Sequence, residues 1–279
     1  MLTKLTGPIV HGQGKGRLAG FPTANLHCEN TAILPPEGVY GVRVFIGEAT
    51  YVGVTNIGTR PTADNRSATT VETWILDYEG DLYDQSITIQ PYAYLRGTRK
   101  FSSMEDLKAQ IDCDALRAKE YLLESPNLTA AVTFSAAETQ KLAAHIASSL
   151  QKGDIIVLRG DLGAGKSEFA RGLARGLGIE GAVPSPSFTI LNVHESGRLP
   201  LYHFDWYRIS DAEELYEIGI EEFLPGDGVT LIEWAERAED LLPARRLEVS
   251  IETLGVESRL LRINPFNQFP EIRFEENLE

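Results

Sequence analysis

The sequence predicts two domains of different class, an all-β domain followed by an α/β domain with a mainly parallel sheet. Three observations carry this. Residues 39 to 90 hold four short runs rich in β-branched and aromatic residues, separated by Gly, Pro, Asn and Asp, the pattern of a small antiparallel barrel or sandwich. Past residue 127, apolar runs alternate with stretches of helical composition, which implies parallel strands joined by helices. Between the two patterns Glu124-Ser-Pro-Asn127 breaks both, so the boundary is set there, with 1–126 as the first domain and 127–279 as the second. A chain of 279 residues is long for one domain and comfortable for two.

The strands expected in the first domain are Val39–Ile46, Thr50–Thr55, Thr70–Leu76 and Ser86–Gln90. A helix should start near Ser103, because Ser103 with Asp106 offers an N-terminal cap and Met104, Leu107 and Ile111 recur at helical spacing. A second helical piece runs from Ala115 to about Leu123. The second domain should open with a strand over Ala130–Phe134 and a helix capped by Ser135-Ala-Ala-Glu138 that reaches Leu150. Two further apolar runs, Leu201–Asp205 and Val229–Glu233, each end in an acid. Asp211–Phe223 reads as an acidic helix, and the acidic stretch after Ile263 lacks periodicity and is left without an element.

Composition excludes several classes. Hydrophobic content of 43% with 24% charged residues fits ordinary core-forming protein. No run of eighteen apolar residues exists and the N-terminus lacks an apolar signal core, so a cytoplasmic protein without a membrane role is expected. The two cysteines, Cys28 and Cys113, have neither zinc-ligand spacing nor the numbers for a disulfide framework. The net charge of −14 is uneven: Lys and Arg number 12 against 15 Asp and Glu up to Asn127, and 14 against 25 after it. Proteins that grip nucleic acid directly carry the opposite sign. Strong direct nucleic-acid binding is therefore not expected.

The strongest motif is Gly160-Asp-Leu-Gly-Ala-Gly-Lys-Ser167, which satisfies the GxxxxGK[ST] phosphate-binding pattern. It follows the β-branched run Asp154–Arg159 and precedes a helical stretch, Glu168–Leu177, with Gly178 placed as its stop. In that setting Gly160, Asp161, Gly163, Ala164, Gly165, Lys166 and Ser167 form a nucleotide-binding set. The glycines let backbone N–H groups approach the phosphates, Lys166 reaches the β- and γ-phosphates, and the Ser167 hydroxyl ligates Mg²⁺. Ligands of parallel sheets sit beyond the carboxyl ends of the strands, so Asp205 and Glu233 should share that edge. Glu233 is assigned to the metal, and Asp205 to the attacking water or the metal shell.

In order, GDLGAGKS, SPSFT (Ser185–Thr189), HFDWYR (His203–Arg208), Glu213-Glu-Leu215 with Gly219, and IEW (Ile232–Trp234) resemble the TsaE family, the P-loop ATPases that serve threonylcarbamoyladenosine synthesis on tRNA. The resemblance covers about Phe134 to Ile263. It implies a switch-like segment with Ser185, Ser187 and Thr189, a place for Trp234 beside the nucleotide, and TsaB–TsaD-like partners reset by ATP hydrolysis. Two mild departures are Ser167 and Ser187, where the family more often has Thr.

In the first domain a glycine-rich stretch, Val10–Arg17, is followed by Gly20-Phe-Pro-Thr-Ala-Asn25. Together with Gly53–Gly58, Arg60-Pro-Thr62, Val71-Glu72, Asp81–Tyr83, Leu95-Arg96 and Lys100-Phe101, these resemble riboflavin kinase from about Gly7 to Leu122. The resemblance implies a six-stranded Greek-key barrel with a C-terminal helix that phosphorylates riboflavin to FMN with Mg-ATP. Thr23 and Asn25 map to Mg²⁺, Glu72 to the general base, and Gly12, Gly14 and Gly16 to the phosphate-binding loop. Ala19 and Gly97-Thr98 depart from the family pattern without touching Thr23, Asn25 or Glu72. With no adenylyltransferase signature in the chain, the reaction is expected to stop at FMN. The joint presence of Thr23, Asn25 and Glu72 favours turnover over the alternative, a barrel that only senses flavin or nucleotide.

Overall fold

Alternating burial builds the first half into a closed barrel, as seen in a computed structural model that describes residues 3–11, 20–28, 33–61, 67–83, 85–224, 226–272 and 274. The expected residues Gly12, Gly14, Gly16 and Thr62 lie outside the described residues. The chain divides into two compact units, Leu2–Val132 and Thr133–Glu279.

In the first unit, strands β1 (Leu5–Val10), β2 (Thr23–Leu26), β3 (Gly38–Ile46), β4 (Ala49–Pro61), β5 (Ser67–Ile75) and β6 (Ser86–Arg96) pair in the order β1-β2-β5-β4-β3-β6 and close. The strand pairs β1–β2, β1–β6, β2–β5, β3–β4, β3–β6 and β4–β5 are all antiparallel. Ala24, Leu26, Val71, Ile75 and Ile57 are buried with Thr55 and Thr73. The two threonine hydroxyls satisfy each other at 2.8 Å, as buried hydroxyls must. Residues between these, at the alternate positions Thr23, Asn25, Glu72, Trp74 and Asn56, are on the opposite face of their strands.

Several bounds differ from the sequence reading, each for a local reason. β1 is not among the expected strands; its Pro8 sits at an exposed position of the strand, where a missing N–H is tolerated. β4 continues past Thr55 because Asn56 and Gly58, which read as punctuation, pair with Glu72 and Thr70. β6 runs through Pro91, beside a register shift between Gly41 and Val42 of the neighbouring strand. The two helical pieces are one helix, α1 (Met104–Glu124), with the expected Ser103 cap bonded to the Asp106 N–H at 3.0 Å. Between the two pieces Asp114 is fully buried and held by Arg96 at 2.8 Å, so its charge is compensated.

A seven-stranded sheet follows, in the order β7-β13-β12-β8-β11-β10-β9. The strands are β7 (Thr129–Thr133), β8 (Ile155–Arg159), β9 (Leu191–His194), β10 (Leu201–Asp205), β11 (Val229–Glu233), β12 (Arg246–Thr253) and β13 (Arg259–Phe266). β12, β8, β11 and β10 are parallel, while β9 and the β12–β13 hairpin pair antiparallel, so the sheet is mixed. Helix α2 (Ala136–Ser149) carries the expected Ser135 cap, and α3 (Lys166–Gly176) follows the phosphate-loop sequence. The two helices approach at glycines: a Cβ on Gly172 would lie 2.3 Å from the Gln140 carbonyl oxygen, and one on Gly176 would lie 2.5 Å from that of Ala144. The expected single helix over Asp211–Phe223 is instead two short ones, α4 (Glu213–Glu217) and α5 (Ile220–Phe223), parted at Gly219 with φ 75°. β13 extends to Phe266, into the acidic stretch after Ile263 where the sequence offers no periodicity.

Candidate active sites

In the second domain the buried strand β8 delivers the chain to Gly160, whose φ of 147° and lack of a Cβ both matter. A Cβ there would lie 2.6 Å from the Ile251 carbonyl oxygen. Gly163 and Gly165 also take positive φ, at 79° and 110°, so the loop turns into α3 through conformations that L-residues avoid. The loop borders a pocket of about 490 Å³. Leu162, Gly163, Gly165, Lys166 and Ser167 line one side; Ser185, Ser187, Asp205, Glu233 and Trp234 line another; Val256, Glu257 and Arg259 close the rim.

The parallel pairing of β10 and β11 puts Asp205 directly opposite Glu233. Both side chains therefore emerge together at the carboxyl edge of the sheet, and both residues are only 2% exposed. Asp205 accepts hydrogen bonds from the hydroxyls of Ser187 and Ser185 (3.3 Å) and from the Tyr207 N–H (2.9 Å). Glu233 Oε1 lies 3.0 Å from His203 Nε2. Among the described residues neither carboxylate has an arginine partner within salt-bridge distance.

Lys166 is the nearby cation. Its Nζ donates to the carbonyls of Gly160 (2.7 Å) and Asp161 (3.1 Å) and stands 4.1 Å from the centroid of the Trp234 ring. Burial lowers the ammonium pKa below its ordinary value, against the opposing pull of Glu233, Asp205, Glu236 and Asp161. Trp234 holds a left-handed backbone, φ 59°, which is uncommon for a large side chain and is the kind of strain found at functional sites. That turn brings the ring over Lys166 and 4.9 Å from Tyr207.

In the first domain a groove of about 550 Å³ runs along the outer face of the barrel, with α1 as its far wall. Met104, Leu107 and Ile111 give it an apolar side, and Phe21 packs edge-on to Trp74 at 4.7 Å. Thr23, Asn56 and Glu72 line it. Strand pairing sets Glu72 between Asn25 of β2 and Asn56 of β4, so a carboxylate is flanked by two amide side chains in one row. Arg96, also on the lining, donates to Asp114 at 2.8 Å and holds its guanidinium carbon 5.5 Å from the Phe101 ring centroid.

Residues 133–261 match the family model described as threonylcarbamoyl adenosine biosynthesis protein TsaE. The tRNA threonylcarbamoyladenosine biosynthesis protein TsaE of Bacillus subtilis is 44% identical over 127 residues, 46% of this chain and 79% of that protein. The chain belongs to the TsaE family. Its relative in Treponema pallidum is 40% identical over 47% of this chain and 97% of its own length. Residues 2–122 match the family model for riboflavin kinase, so a riboflavin kinase domain and a TsaE domain are joined in one chain. The solved riboflavin kinase from Trypanosoma brucei aligns with 43% of this chain and 79% of its own, at 22% identity and a TM-score of 0.33.

Most of the residues singled out from the sequence converge in these two places. In the TsaE domain Gly163, Gly165, Lys166, Ser167, Ser185, Ser187, Asp205, Glu233 and Trp234 all line the pocket. Gly160, Asp161 and Ala164 sit behind it; the first two lend carbonyls to Lys166, and the Ala164 carbonyl accepts from Arg259 Nε at 2.7 Å. Thr189 is not among the lining residues, and its hydroxyl donates to Asn192 Oδ1 at 2.8 Å. In the riboflavin kinase domain Thr23 and Glu72 line the groove, and Asn25 is adjacent to Glu72 in the sheet.

The sequence reading left out Arg259, Arg171 and Val256 on one site, and Asn56 and Trp74 on the other. A signal for the first group existed: Arg246-Leu-Glu-Val-Ser-Ile-Glu-Thr253 alternates apolar and polar residues as a half-buried strand does, and the hairpin it starts carries Arg259.

Proposed function

We propose that the riboflavin kinase domain transfers the γ-phosphoryl group of ATP to the 5′-hydroxyl of riboflavin, giving FMN and ADP. The observation that carries this is the Glu72 carboxylate, flanked in the sheet by Asn25 and Asn56 and facing a groove that Phe21, Trp74, Met104, Leu107 and Ile111 also line. An alcohol attacking phosphorus must lose its proton as the bond forms, and Glu72 is placed to accept it. The apolar and aromatic residues Phe21, Trp74, Met104 and Ile111 on the lining suit a planar ring system. Thr23 and Asn25 offer neutral oxygens two residues apart on one strand face, a donor set that suits Mg²⁺.

The TsaE domain hydrolyses ATP in support of threonylcarbamoyladenosine formation on tRNA. Ser167 and Glu233 supply hard oxygen donors that fit Mg²⁺, which when bound neutralises charge on the phosphates. Lys166 exchanges its loop carbonyls for phosphate oxygens, and Asp205 orients the attacking water. The charge of this half, 14 Lys and Arg against 25 Asp and Glu after Asn127, supports action through TsaB–TsaD-like proteins rather than through a grip on tRNA.

The test is to incubate the full chain with riboflavin and Mg-ATP, separate the flavins by chromatography, and follow phosphate release with and without the TsaB–TsaD pair. FMN formation and partner-stimulated hydrolysis support the reading. Unchanged riboflavin would sink the first half, and tight, salt-sensitive binding of bare tRNA would sink the partner-mediated half.

A further inference from the structure

We propose that His203 is a positioning residue for the TsaE reaction, holding the Glu233 carboxylate in the one orientation that presents its second oxygen to the metal. The inference rests on the assignment of Glu233 to Mg²⁺ above and adds to it the residue through which that carboxylate is aimed.

His203 lies on β10, two residues before Asp205 and on the same face of the strand. It pairs in register with Leu231, two residues before Glu233 on β11. The imidazole thus reaches diagonally up one step of the sheet, and its Nε2 comes 3.0 Å from Glu233 Oε1. Both side chains are withdrawn from solvent, at 0% and 3% exposure.

A carboxylate only accepts, so the bond requires the proton on Nε2. Among the described residues the other ring nitrogen, Nδ1, has no hydrogen-bond partner, so none of them holds a proton there. The ring is therefore fixed as the tautomer that donates to Glu233. An imidazole with one bare nitrogen is an expensive occupant of a buried strand position that Leu or Ile would fill at no polar cost. The position gains one thing in exchange. With Oε1 engaged, the terminal carboxylate can no longer spin, and Oε2 is the oxygen left over. Such outer contacts orient ligands in other metal sites, and their loss costs roughly 10–100-fold in metal affinity or activity.

The experiment measures binding of a non-hydrolysable ATP analogue to the full chain by calorimetry, once with Mg²⁺ and once with EDTA. The P-loop contribution is defined as what Lys166→Ala removes, so the barrel's nucleotide site does not enter. His203→Leu is expected to cut the magnesium-dependent gain in affinity roughly 10–100-fold and to leave the EDTA affinity unchanged. His203→Gln, which keeps an N–H near the position of Nε2, is expected to restore most of the gain. A His203→Leu chain with the wild-type magnesium gain, or with equal losses in Mg²⁺ and EDTA, overturns the inference and makes the contact a purely structural one. If Leu does not fold, Asn, too short to reach Glu233, takes its place against Gln with the same two outcomes. Glu233→Gln separates the layers: if it keeps the full magnesium gain, the metal assignment falls and the inference with it. If it loses the gain while His203→Leu keeps it, only the role of His203 falls.

Discussion

Gly172→Ala should destabilise the second domain even though alanine is the better helix former. Gly172 is inside α3, where replacing glycine by alanine ordinarily gains about 1 kcal/mol. Against that, the new Cβ would lie 2.3 Å from the Gln140 carbonyl oxygen and 2.5 Å from its Cα. Both are backbone atoms of α2, so no rotamer change relieves the clash and the helices must separate by roughly 1 Å to reach ordinary contact. Overpacking of this kind costs typically 1–3 kcal/mol, with the upper end applying where only backbone can yield. The net expectation is a loss of roughly 1–2 kcal/mol, or about 2–8 °C in the melting temperature of a domain this size. Because α3 begins at Lys166, nucleotide affinity at the P-loop should fall as well. Scanning calorimetry with saturating riboflavin lifts the first domain's transition away from the second and isolates the effect. Gly176→Ala, with Ala144 and Ala147 as its obstacles, should behave alike. A melting temperature at or above wild type for Gly172→Ala would show that propensity outweighs the close approach and refute the reasoning.

Three further outcomes are expected. Glu72→Gln keeps the size of the side chain and removes the base, so FMN formation should drop roughly 10²–10⁴-fold, with P-loop nucleotide affinity unchanged; chromatography of the flavins and calorimetry check the two halves. Lys166→Ala should abolish partner-stimulated ATP hydrolysis while FMN formation stays near wild type, since every residue lining the groove belongs to the first domain; loss of flavin phosphorylation in a folded variant would contradict separate sites. Burial pushes the Glu248 carboxyl up, but hydrogen bonds from Arg159 (3.1 Å) and Arg246 (2.8 Å) outweigh it and hold the pKa below its ordinary value. That contribution is complete above the unfolded carboxylate's range, about pH 4.3, and is lost as the pH falls through the lower folded value. Glu248→Gln should therefore flatten the acid limb of a melting-temperature profile, and an unchanged limb would count against the pair.

What could be read from the sequence was local. Eight consecutive residues define the phosphate loop, and two apolar runs ending in Asp205 and Glu233 place both acids at one sheet edge, because strand direction alone decides which end faces the ligand. What could not be read depends on pairing. Nothing in Asn56 or His203 as residues announces that one flanks Glu72 and the other touches Glu233, since both facts arise from strands distant in sequence coming into register. The helix α1 was split because Asp114 looks like an interruption until Arg96 is seen beside it. Thr189 shows the converse: it shares a motif with Ser185 and Ser187, yet a turn from Pro186 directs it to Asn192. The strand β12 was legible in its alternation, and with it the hairpin that brings Arg259 to the pocket.

The three tryptophans of the chain fall where a spectroscopist would have placed them. Trp74 lines the groove on the barrel, Trp234 covers Lys166 at the phosphate loop, and Trp206 is wholly buried. Excited at the indole band, Trp74 is a donor whose emission a flavin at that groove would absorb, and Trp234 would report phosphate that drew Lys166 away from its ring. Trp206, out of reach of solvent, serves as the constant background. Two single Trp→Phe replacements therefore turn the unlabelled protein into two independent optical titrations, one for each half of a chain that consumes the same nucleotide twice.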